Sequence, residues 1–494
     1  MVQVPGLSKS RFQAGLQCPK RLWLECHAPE LADPTSEVQQ ALFDTGHRVG
    51  ELARDRFPGG VLVGEDHTQG RAACRTTERL IREGAPCLYE AAFEHDGVLV
   101  RVDVLRRNEA GQWDLIEVKS SNSLQPEHTS DAAVQAYVAG GAGLPLSGTY
   151  LLHLNRDCVY PGGSYDLEEL FTLEDLSGLV EEYLPAIPGL LRQMKVMLAG
   201  DCPEVRIGRH CENPHRCQFR GYCRGFLPEY PVTDLPRLAD EVLAEFLEQG
   251  ICSVLDVPLS HPRLTPSQRR VCADIQGGRL RVEPGLTAEL AGLRFPVYFL
   301  DFETIMPALP LYVGTGPYQG VPVQWSCHIL QADGTLEHHE FLHRERTDPR
   351  PSLTESLAAT LGGPGSVVSY SDYEGRILEG LAQSQPQWAA EMADIRSRLF
   401  DLREVVGRYV GHPDLHGRTS LKLVLPALVE GLSYQGLAVP DGEVAMLRYQ
   451  EAVWGELPQA EREAVFQDLL AYCATDTLGM VEIYRRLAFE VGLA

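Results

Sequence analysis

Basic residues are scarce in this sequence. Its 494 residues include 44 Lys and Arg against 68 Asp and Glu, which gives a formal net charge of −24. Such a chain is unsuited to coating nucleic acid indiscriminately, although a local basic channel remains compatible with it. Cysteine is sparse too, at 13 residues, so a disulfide scaffold is excluded, and the odd count suits a reducing compartment.

Long hydrophobic runs are also lacking. The uncharged stretch 132–153 contains Gln135, Tyr137, several glycines and Pro145, and it predicts a helix, a turn and a strand rather than a membrane span. The first residues, MVQVPGLSKSRF, lack the apolar segment of a secretory signal. We therefore expect a cytoplasmic protein without a membrane partner. What is present, 44% hydrophobic and 23% charged residues, is typical of folded globular domains.

The hydrophobic pattern divides the chain into three parts. Residues 1–225 predict a helix, three consecutive strands, a second helix and a further strand, and residues 294–494 predict three strands, a helix, a strand and then mostly helices. Between them, residues 226–293 predict a helical bridge, either helix-hairpin-helix-like or a plain spacer. We expect an α/β protein with a mixed sheet in each of the two larger parts.

Charged residues interrupt two predicted strands of the first part. Asp103 lies in the apolar run VRVDVL, and Glu117 and Lys119 alternate in IEVKS, so they share a face of the sheet. Buried charges are costly unless they are paired or hold a metal. Two carboxylates and an ammonium on one face can bind Mg²⁺ or Mn²⁺ and stabilise charge on a phosphate. A strand with an exposed charged face gives the same pattern, and the motif is common by itself.

Neighbouring residues extend this motif on the flanking helices and the first strand. They are His47, Glu90, Gln135 and Tyr137. In this order the segments resemble the RecB-like branch of the PD-(D/E)XK nuclease superfamily, although Gln135 and Tyr137 are closer together than is usual there. The resemblance implies a restriction-endonuclease-like fold in which Lys119 is catalytic and Gln135 and Tyr137 orient the lysine and the DNA phosphate. It also implies a metal site formed by His47, Asp103 and Glu117.

Four cysteines lie in polar, arginine-rich sequence near the two ends of the first part. They are Cys18, Cys211, Cys217 and Cys223. Thiolates bind either iron–sulphur clusters or zinc, and the spacing alone does not choose between them. The set resembles the iron–sulphur staple of RecB-like nucleases of the AddB type and of CRISPR-associated nucleases. That resemblance implies a structural [4Fe–4S] cluster, with Cys26 and Cys202 as substitute ligands.

The last part carries acidic residues on three predicted elements. Asp301 and Glu303 share a face at the end of an apolar strand, and Glu374 follows a later strand. Tyr472 and Asp476 lie one turn apart on the last helix. Four carboxylates can hold two divalent ions for in-line phosphodiester hydrolysis, and a neighbouring tyrosine can orient the attacking water.

In this order the residues resemble the tyrosine-bearing DEDD exonucleases of the DnaQ-like, RNase H-fold family, including YprB-like relatives. The resemblance implies a Mg²⁺ or Mn²⁺ site formed by Asp301, Glu303, Glu374 and Asp476. Glu374 stands where the family usually has Asp. The departure leaves Asp401 as an alternative third acid, or it indicates a weakened site.

The combined interpretation is a fusion of a RecB-like iron–sulphur nuclease with a DEDD exonuclease-like domain. It predicts a divalent-metal-dependent enzyme that hydrolyses DNA, favoured over RNA, at single-stranded ends or flaps during repair, recombination or defence. Two alternatives remain open. One is an RNA-processing exonuclease whose first part only grips nucleic acid, and the other is a non-catalytic nucleic-acid-binding scaffold.

Overall fold

The computed structural model describes residues 6–66 and 68–493. The chain divides into two compact units. Unit 1 comprises Met1–Phe226 with Pro307–Gln319, and unit 2 comprises Leu227–Met306 with Gly320–Ala494. Each unit is an α/β mixture, as predicted. Over the described residues, no helix combines the length and apolarity that crossing a bilayer requires.

Unit 1 contains seven strands and nine α-helices in its described part. The strands are β1 (Leu7–Ser8), β2 (Val61–Leu62), β3 (Cys87–His95), β4 (Val98–Arg107), β5 (Trp113–Lys119), β6 (Leu146–Leu154) and β7 (Phe171–Asp175). The helices are α1 (Lys9–Gln17), α2 (Pro19–His27), α3 (Glu37–Asp55), α4 (Gly70–Arg82), α5 (Pro126–Gly141), α6 (Leu167–Leu170), α7 (Ser177–Tyr183), α8 (Ile187–Leu198) and α9 (Arg220–Arg224).

The strands of unit 1 form one mixed sheet in the order β2-β3-β4-β5-β6-β7, and β1 pairs with β4 outside this path. β3, β4 and β5 are antiparallel neighbours, whereas β6 returns parallel to β5 after the crossover helix α5. α5 is almost entirely buried and packs against β3, β4 and β6. The strands β3 to β6 and the helices α3 and α5 were predicted from alternation and helical spacing, whereas α4 was not.

A short segment from the later part of the chain completes unit 1. Residues 307–319 lie between two segments of unit 2 in the sequence, yet they pack with unit 1. Ala308 and Leu309 are buried in a core of this unit. The Gly314 backbone N–H donates to the Tyr160 carbonyl, and the Tyr160 N–H donates to the Thr315 carbonyl. The Tyr165 hydroxyl donates to the Pro310 carbonyl at 3.0 Å. The sequence-based division had placed the whole segment in its third part, because nothing in its composition separates it from the flanking strands.

Unit 2 contains seven strands and ten α-helices in its described part. The strands are β8 (Arg281–Val282), β9 (Val297–Ile305), β10 (Val321–Leu330), β11 (Leu336–Leu342), β12 (Ser366–Ser369), β13 (Leu399–Asp401) and β14 (Val410–Gly411). The helices are α10 (Asp240–Glu248), α11 (Pro266–Gly277), α12 (Leu286–Ala291), α13 (Arg350–Leu361), α14 (Tyr373–Ser384), α15 (Ala389–Ser397), α16 (Leu402–Tyr409), α17 (Leu421–Leu428), α18 (Gly442–Trp454) and α19 (Gln459–Glu490).

The main sheet of unit 2 has the order β11-β10-β9-β12-β13. β9, β10 and β11 are antiparallel, while β12 and β13 run parallel to β9. One face of the sheet packs on α13, α14 and α15, and the other packs on α16, α17 and α19. Both faces are therefore covered, which explains why every residue of β10 is buried.

The bridge predicted over residues 226–293 belongs to unit 2. It has its own small core, which includes Val242 and Phe246 of α10 and Ile275 of α11. After Gly250 the chain forms a short 3₁₀ turn, Val254–Asp256, and Val254 is buried in this core.

We predict that Gly365, just before β12, is essential for the stability of unit 2. Its φ is +120°, and a Cβ at this position would lie 2.0 Å from the Pro296 carbonyl oxygen. Gly365→Ala must therefore strain the backbone and should lower the free energy of unfolding by more than about 3 kcal/mol. Urea denaturation measures this change.

The matched control is Gly380→Ala in the exposed face of α14. No atom lies within 4 Å of a Cβ built there. Alanine has the higher helix propensity, so this variant should be more stable by about 0.5–1 kcal/mol. Equal effects of the two substitutions would contradict the role given to Gly365.

Candidate functional site

Three acidic residues form a row across adjacent strands of unit 1. The register of β3 on β4 sets Glu90 opposite Asp103, and the register of β4 on β5, continued by one step, sets Asp103 opposite Glu117. Glu90 has a φ of +58°, a conformation that costs a non-glycine residue about 1–3 kcal/mol. Its carboxylate pairs with Arg54 at 3.5 Å and Arg101 at 3.8 Å. The strand residues of the predicted motif thus lie side by side.

Glu117 is the most enclosed carboxylate of this row, with 1% of the residue exposed. Its Oε1 accepts hydrogen bonds from Lys119 Nζ at 2.7 Å and Lys9 Nζ at 2.8 Å, and its Oε2 accepts one from Gln135 Nε2 at 2.6 Å. Lys119 also donates to Asp131 Oδ2, and Lys9 Nζ lies 3.9 Å from that oxygen. Two lysines and two acids therefore form a compact ion cluster.

The two motif acids of this cluster differ in their protonation. Burial, followed by the charge of Glu117, raises the pKa of Asp103 to about 8. Burial also acts to raise the pKa of Glu117, but the charges of Lys119 and Lys9 outweigh it and hold this pKa well below its ordinary value. Glu117 is thus ionised at neutral pH, whereas Asp103 is largely protonated until a further cation is present.

The remaining predicted residues of unit 1 do not all join the cluster. Gln135 does, through its bond to Glu117. Tyr137 instead hydrogen-bonds Asp96 and packs edge-on against His95 at 5.4 Å between ring centroids. Two residues along a helix rotate a side chain by about 200°, so Gln135 and Tyr137 point in opposite directions. His47 lies exposed on α3, and no hydrogen bond or ion pair joins it to the cluster within the described residues.

Sequence reasoning missed two members of this cluster, Lys9 and Asp131. Asp131 precedes Gln135 by one helical turn, so helical spacing could have found it. Lys9 lies more than one hundred residues before Glu117. The chain pattern gives no signal for it, because only the pairing of β1 with β4 brings the start of α1 to the sheet.

The four predicted cysteines line one small cavity of unit 1. Cys18 caps α2, and Cys211, Cys217 and Cys223 line the same cavity together with Lys20 and Arg220. Backbone N–H groups of residues 20 and 21 point at the Cys18 sulphur. Cys26 and Cys202 do not line this cavity in the described structure. None of the thirteen cysteines forms a disulfide.

The sulphur atoms of these four cysteines are near one another but not in mutual contact. Burial, together with neighbouring cysteines, raises the pKa of the Cys217 and Cys223 thiols. Among the described residues, however, the only group of three or more metal-ligand atoms within 4.8 Å of one another is elsewhere, in unit 2.

Four carboxylates come together in unit 2. Asp301 and Glu303 lie on one face of β9, Glu374 in the first turn of α14 and Asp476 in the middle of α19. Burial raises the pKa of Asp301 well above its ordinary value, and the charges of Asp476, Glu303 and Glu374 raise it further. Ligand atoms of Asp301, Glu303 and Cys473 lie within 4.8 Å of one another, and Glu374 and Asp476 are near enough for their charges to act on Asp301.

The other three acids also have raised pKa values. Burial and then the charge of Asp476 raise the pKa of Glu303 to about 8. Burial raises the pKa of Glu374 to about 7. Burial likewise raises the pKa of Asp476 to about 6, although the nearby Lys422 lowers it. Four acids therefore share the charge of Lys422, and burial and mutual repulsion oppose their simultaneous ionisation.

Aromatic and sulphur groups surround Asp476. The Tyr434 hydroxyl donates to Asp476 Oδ1, and Tyr472, the tyrosine predicted at this site, also hydrogen-bonds this carboxylate. Lys422 Nζ lies 5.3 Å from the Tyr472 ring centroid. The Cys473 thiol lies 3.4 Å from Asp301 Oδ2. Tyr434, Lys422 and Cys473 were not predicted, although the position of Cys473 beside Tyr472 was a usable signal.

Glu374 and Asp401 were the alternatives for the third acid. Glu374 is 3% exposed and accepts a hydrogen bond from Ser371 at 3.1 Å. Asp401 caps α16 by accepting the Glu404 backbone N–H at 2.9 Å, and its charge affects Glu374. Glu374 is therefore the acid whose charge acts on Asp301. Asp401 lies next to Glu374, in a groove lined also by Arg403.

Comparisons with known proteins give little more than a partial match. A family model described as "Domain of unknown function (DUF2779)" matches residues 298–420, which include three of the four acids of unit 2. No curated protein matches the chain. A solved structure described as "Crystal structure of SSO0001" is similar at 13% identity, covering 45% of this chain and 87% of that chain, with a TM-score of 0.22. At that TM-score the similarity carries no structural conclusion.

We predict that the uncompensated acids destabilise unit 2 when divalent cations are removed. Because the folded-state pKa of Glu303 is raised from 4.5 to about 8, its contribution to stability is lost as pH rises across that window. In EDTA at pH 8, Glu303→Gln should therefore raise the free energy of unfolding by about 1–3 kcal/mol. The advantage should vanish at pH 4 and shrink when Mn²⁺ is added to both proteins.

Glu355→Gln, an exposed residue of α13, is the matched control and should change stability by less than about 0.5 kcal/mol. Thermal and urea unfolding of both variants, with and without Mn²⁺, measure the difference. A Glu303→Gln variant that is less stable than the parent at every pH would contradict the electrostatic account.

Proposed function

We propose that the protein is a divalent-metal-dependent nuclease that hydrolyses phosphodiester bonds of DNA, at single-stranded ends or flaps, in repair, recombination or defence. The observation that carries the proposal is the group of four enclosed carboxylates in unit 2, opposed by one lysine. Such a group is stable when it holds cations, and phosphodiester hydrolysis is the chemistry that paired divalent cations serve best. The RNase H-like strand order expected from the DnaQ-like resemblance is compatible with the sheet of unit 2.

The donor set of unit 2 suits hard divalent cations. Carboxylate oxygens are the ligands preferred by Mg²⁺ and Mn²⁺, and Asp301, Glu303, Glu374 and Asp476 would supply them. When bound there, such cations would supply positive charge opposite a phosphate and acidify an attacking water.

The surrounding residues orient this site. Tyr434 and Tyr472 hold the Asp476 carboxylate by hydrogen bonds, so that its orientation is fixed. Burial, followed by the charge of Asp476, raises the pKa of the Tyr472 phenol, which therefore stays protonated. Its oxygen can then accept a hydrogen bond from a water beside the acids. Lys422 stays near both rings and limits the negative charge.

In unit 1, Asp103 and Glu117 would hold a further divalent cation, separate from those of unit 2. Lys119 Nζ is held between Glu117 and Asp131 and is placed to donate to a phosphate oxygen bound beside them. Gln135 restrains the other oxygen of Glu117. These contacts support the role of Lys119 as the group that stabilises charge on the scissile phosphate.

The cysteine cavity would hold a [4Fe–4S] cluster, with zinc as the alternative. All four predicted ligands line it, and thiolates bind either iron–sulphur clusters or zinc. Ligation would tie the beginning of α2 to residues 211–223 and add folding energy to unit 1. Lys20 at the cavity would offer positive charge to a phosphate chain bound to unit 1.

We predict that the two sites contribute separable nuclease activities. Asp301→Asn and Lys119→Met should each lower one activity at least about 100-fold, because the first removes a ligand of the divalent cation and the second removes the ammonium that stabilises charge on the phosphate. Gel assays with Mn²⁺ on labelled single-stranded, flapped and duplex DNA, and on RNA of the same sequence, measure the cleavage.

Glu355→Gln and Lys195→Met serve as charge-matched controls outside the two clusters and should cut like the parent. Full activity of the double variant Asp301→Asn, Lys119→Met would refute both assignments. Cleavage of RNA alone would favour RNA processing, and Mn²⁺ binding without any cleavage would favour a binding scaffold.

We predict further that anaerobically purified protein is brown and contains about four irons per chain. Cys217→Ser should lose the iron and destabilise unit 1, whereas Cys252→Ser, at an exposed cysteine, should keep it. Metal analysis and visible absorbance measure both outcomes. A colourless protein with one zinc per chain would contradict the iron–sulphur cluster and indicate a zinc site.

A further inference from the structure

Lys9 occupies a position among the acids of unit 1 that the nuclease motif does not account for. Its Nζ lies 2.8 Å from Glu117 Oε1 and 3.9 Å from Asp131 Oδ2, and these are the two oxygens that also bind Lys119. Asp103 is a third acid close enough to act on Lys9 when it is ionised. The site therefore has two ammonium groups on one pair of carboxylate oxygens, where a single lysine would already bridge both.

Strand pairing and a helix cap position Lys9 beside Glu117 and Asp131. β1 pairs in parallel with β4, and the Ser8 hydroxyl accepts the Arg11 backbone N–H, so that α1 begins directly at Lys9. The Ser130 hydroxyl donates to Gln13 Oε1 at 3.1 Å, which ties α1 to α5. The Lys9 ammonium therefore comes from an element other than β4 and β5, the strands that carry Asp103, Glu117 and Lys119. The Lys9 side chain remains 25% exposed.

The polar atoms around Lys9 are not all satisfied. Asp131 Oδ1 and Gln135 Oε1 are buried and have no hydrogen-bond partner, and the two residues lie one turn apart on α5. Asp131 is 6% exposed and Gln135 is fully buried. Buried acceptors without donors are rare in folded proteins, and an ordered water or a bound cation would satisfy these two oxygens.

We propose that Lys9 is a second substrate-binding lysine of unit 1, which donates to a phosphate oxygen of the nucleic acid and competes with the divalent cation for Glu117. This inference rests on the proposed function of unit 1. Lys9 neutralises Glu117 in the structure described here, and a cation on Glu117 would displace its ammonium toward the phosphate. Lys119 keeps its contact with Asp131 and donates to the phosphate beside Lys9.

The test uses the full chain carrying Asp301→Asn, so that unit 1 alone accounts for cutting. Added Lys9→Met should bind Mn²⁺ about 10-fold more tightly by calorimetry, because a competing positive charge is removed. It should nevertheless cut single-stranded DNA at least about 10-fold more slowly, and it should bind an oligonucleotide more weakly in Ca²⁺. Lys9→Arg should restore cutting to within a few-fold.

Lys195→Met is the control, because Lys195 also pairs with an aspartate in unit 1, with 32% of its side chain exposed. It should change neither Mn²⁺ affinity nor cutting. A Lys9→Met variant that loses Mn²⁺ affinity and thermal stability together would show a purely structural lysine and overturn the proposal. Unchanged cutting and oligonucleotide binding would overturn it as well.

The nuclease assignment of unit 1 fails independently if the Asp301→Asn protein cuts nothing and Lys119→Met changes nothing. The Lys9 proposal is then decided by the remaining measurements. Tighter Mn²⁺ binding with weaker oligonucleotide binding in Lys9→Met would support it, and unchanged values would refute it.

Discussion

The cost of placing carboxylates side by side in a protein interior governs both halves of this molecule. Each half sets acids on adjacent strands, where side chains of one face lie within a few ångströms of each other. In unit 1, two lysines pair with Glu117 and offset this repulsion, so the cluster is close to neutral. In unit 2, Lys422 alone offsets it, and the pKa values of the acids are raised. The two units therefore differ in how strongly they demand an external cation.

The strand positions of these acids follow from the sequence. Alternation in IEVKS and FLDFETI sets which residues share a face, and apolar flanks set where the strands run, so Asp103, Glu117, Asp301 and Glu303 were predictable. Helical spacing likewise placed Tyr472 beside Asp476. These are local rules that act over a few residues, and they depend little on tertiary structure.

Contacts between distant segments were not predictable in the same way. Lys9 reaches Glu117 only because β1 pairs with β4, and Tyr434 reaches Asp476 from a loop without a recognisable pattern. The segment 307–319 joins unit 1 through backbone hydrogen bonds that no composition signals. Tyr137 shows the opposite case. Its motif position was recognised, but the rotation of the helix turns it toward Asp96 rather than toward Lys119.

The central claim is that enclosed acids of unit 2 hold divalent cations. Anomalous diffraction from crystals of the full chain grown with Mn²⁺ tests it most directly, because it locates manganese without reference to activity. We expect anomalous density among Asp301, Glu303, Glu374 and Asp476, with carboxylate oxygens around it. Manganese bound only elsewhere, with these four side chains protonated and hydrogen-bonded to one another, would contradict the account.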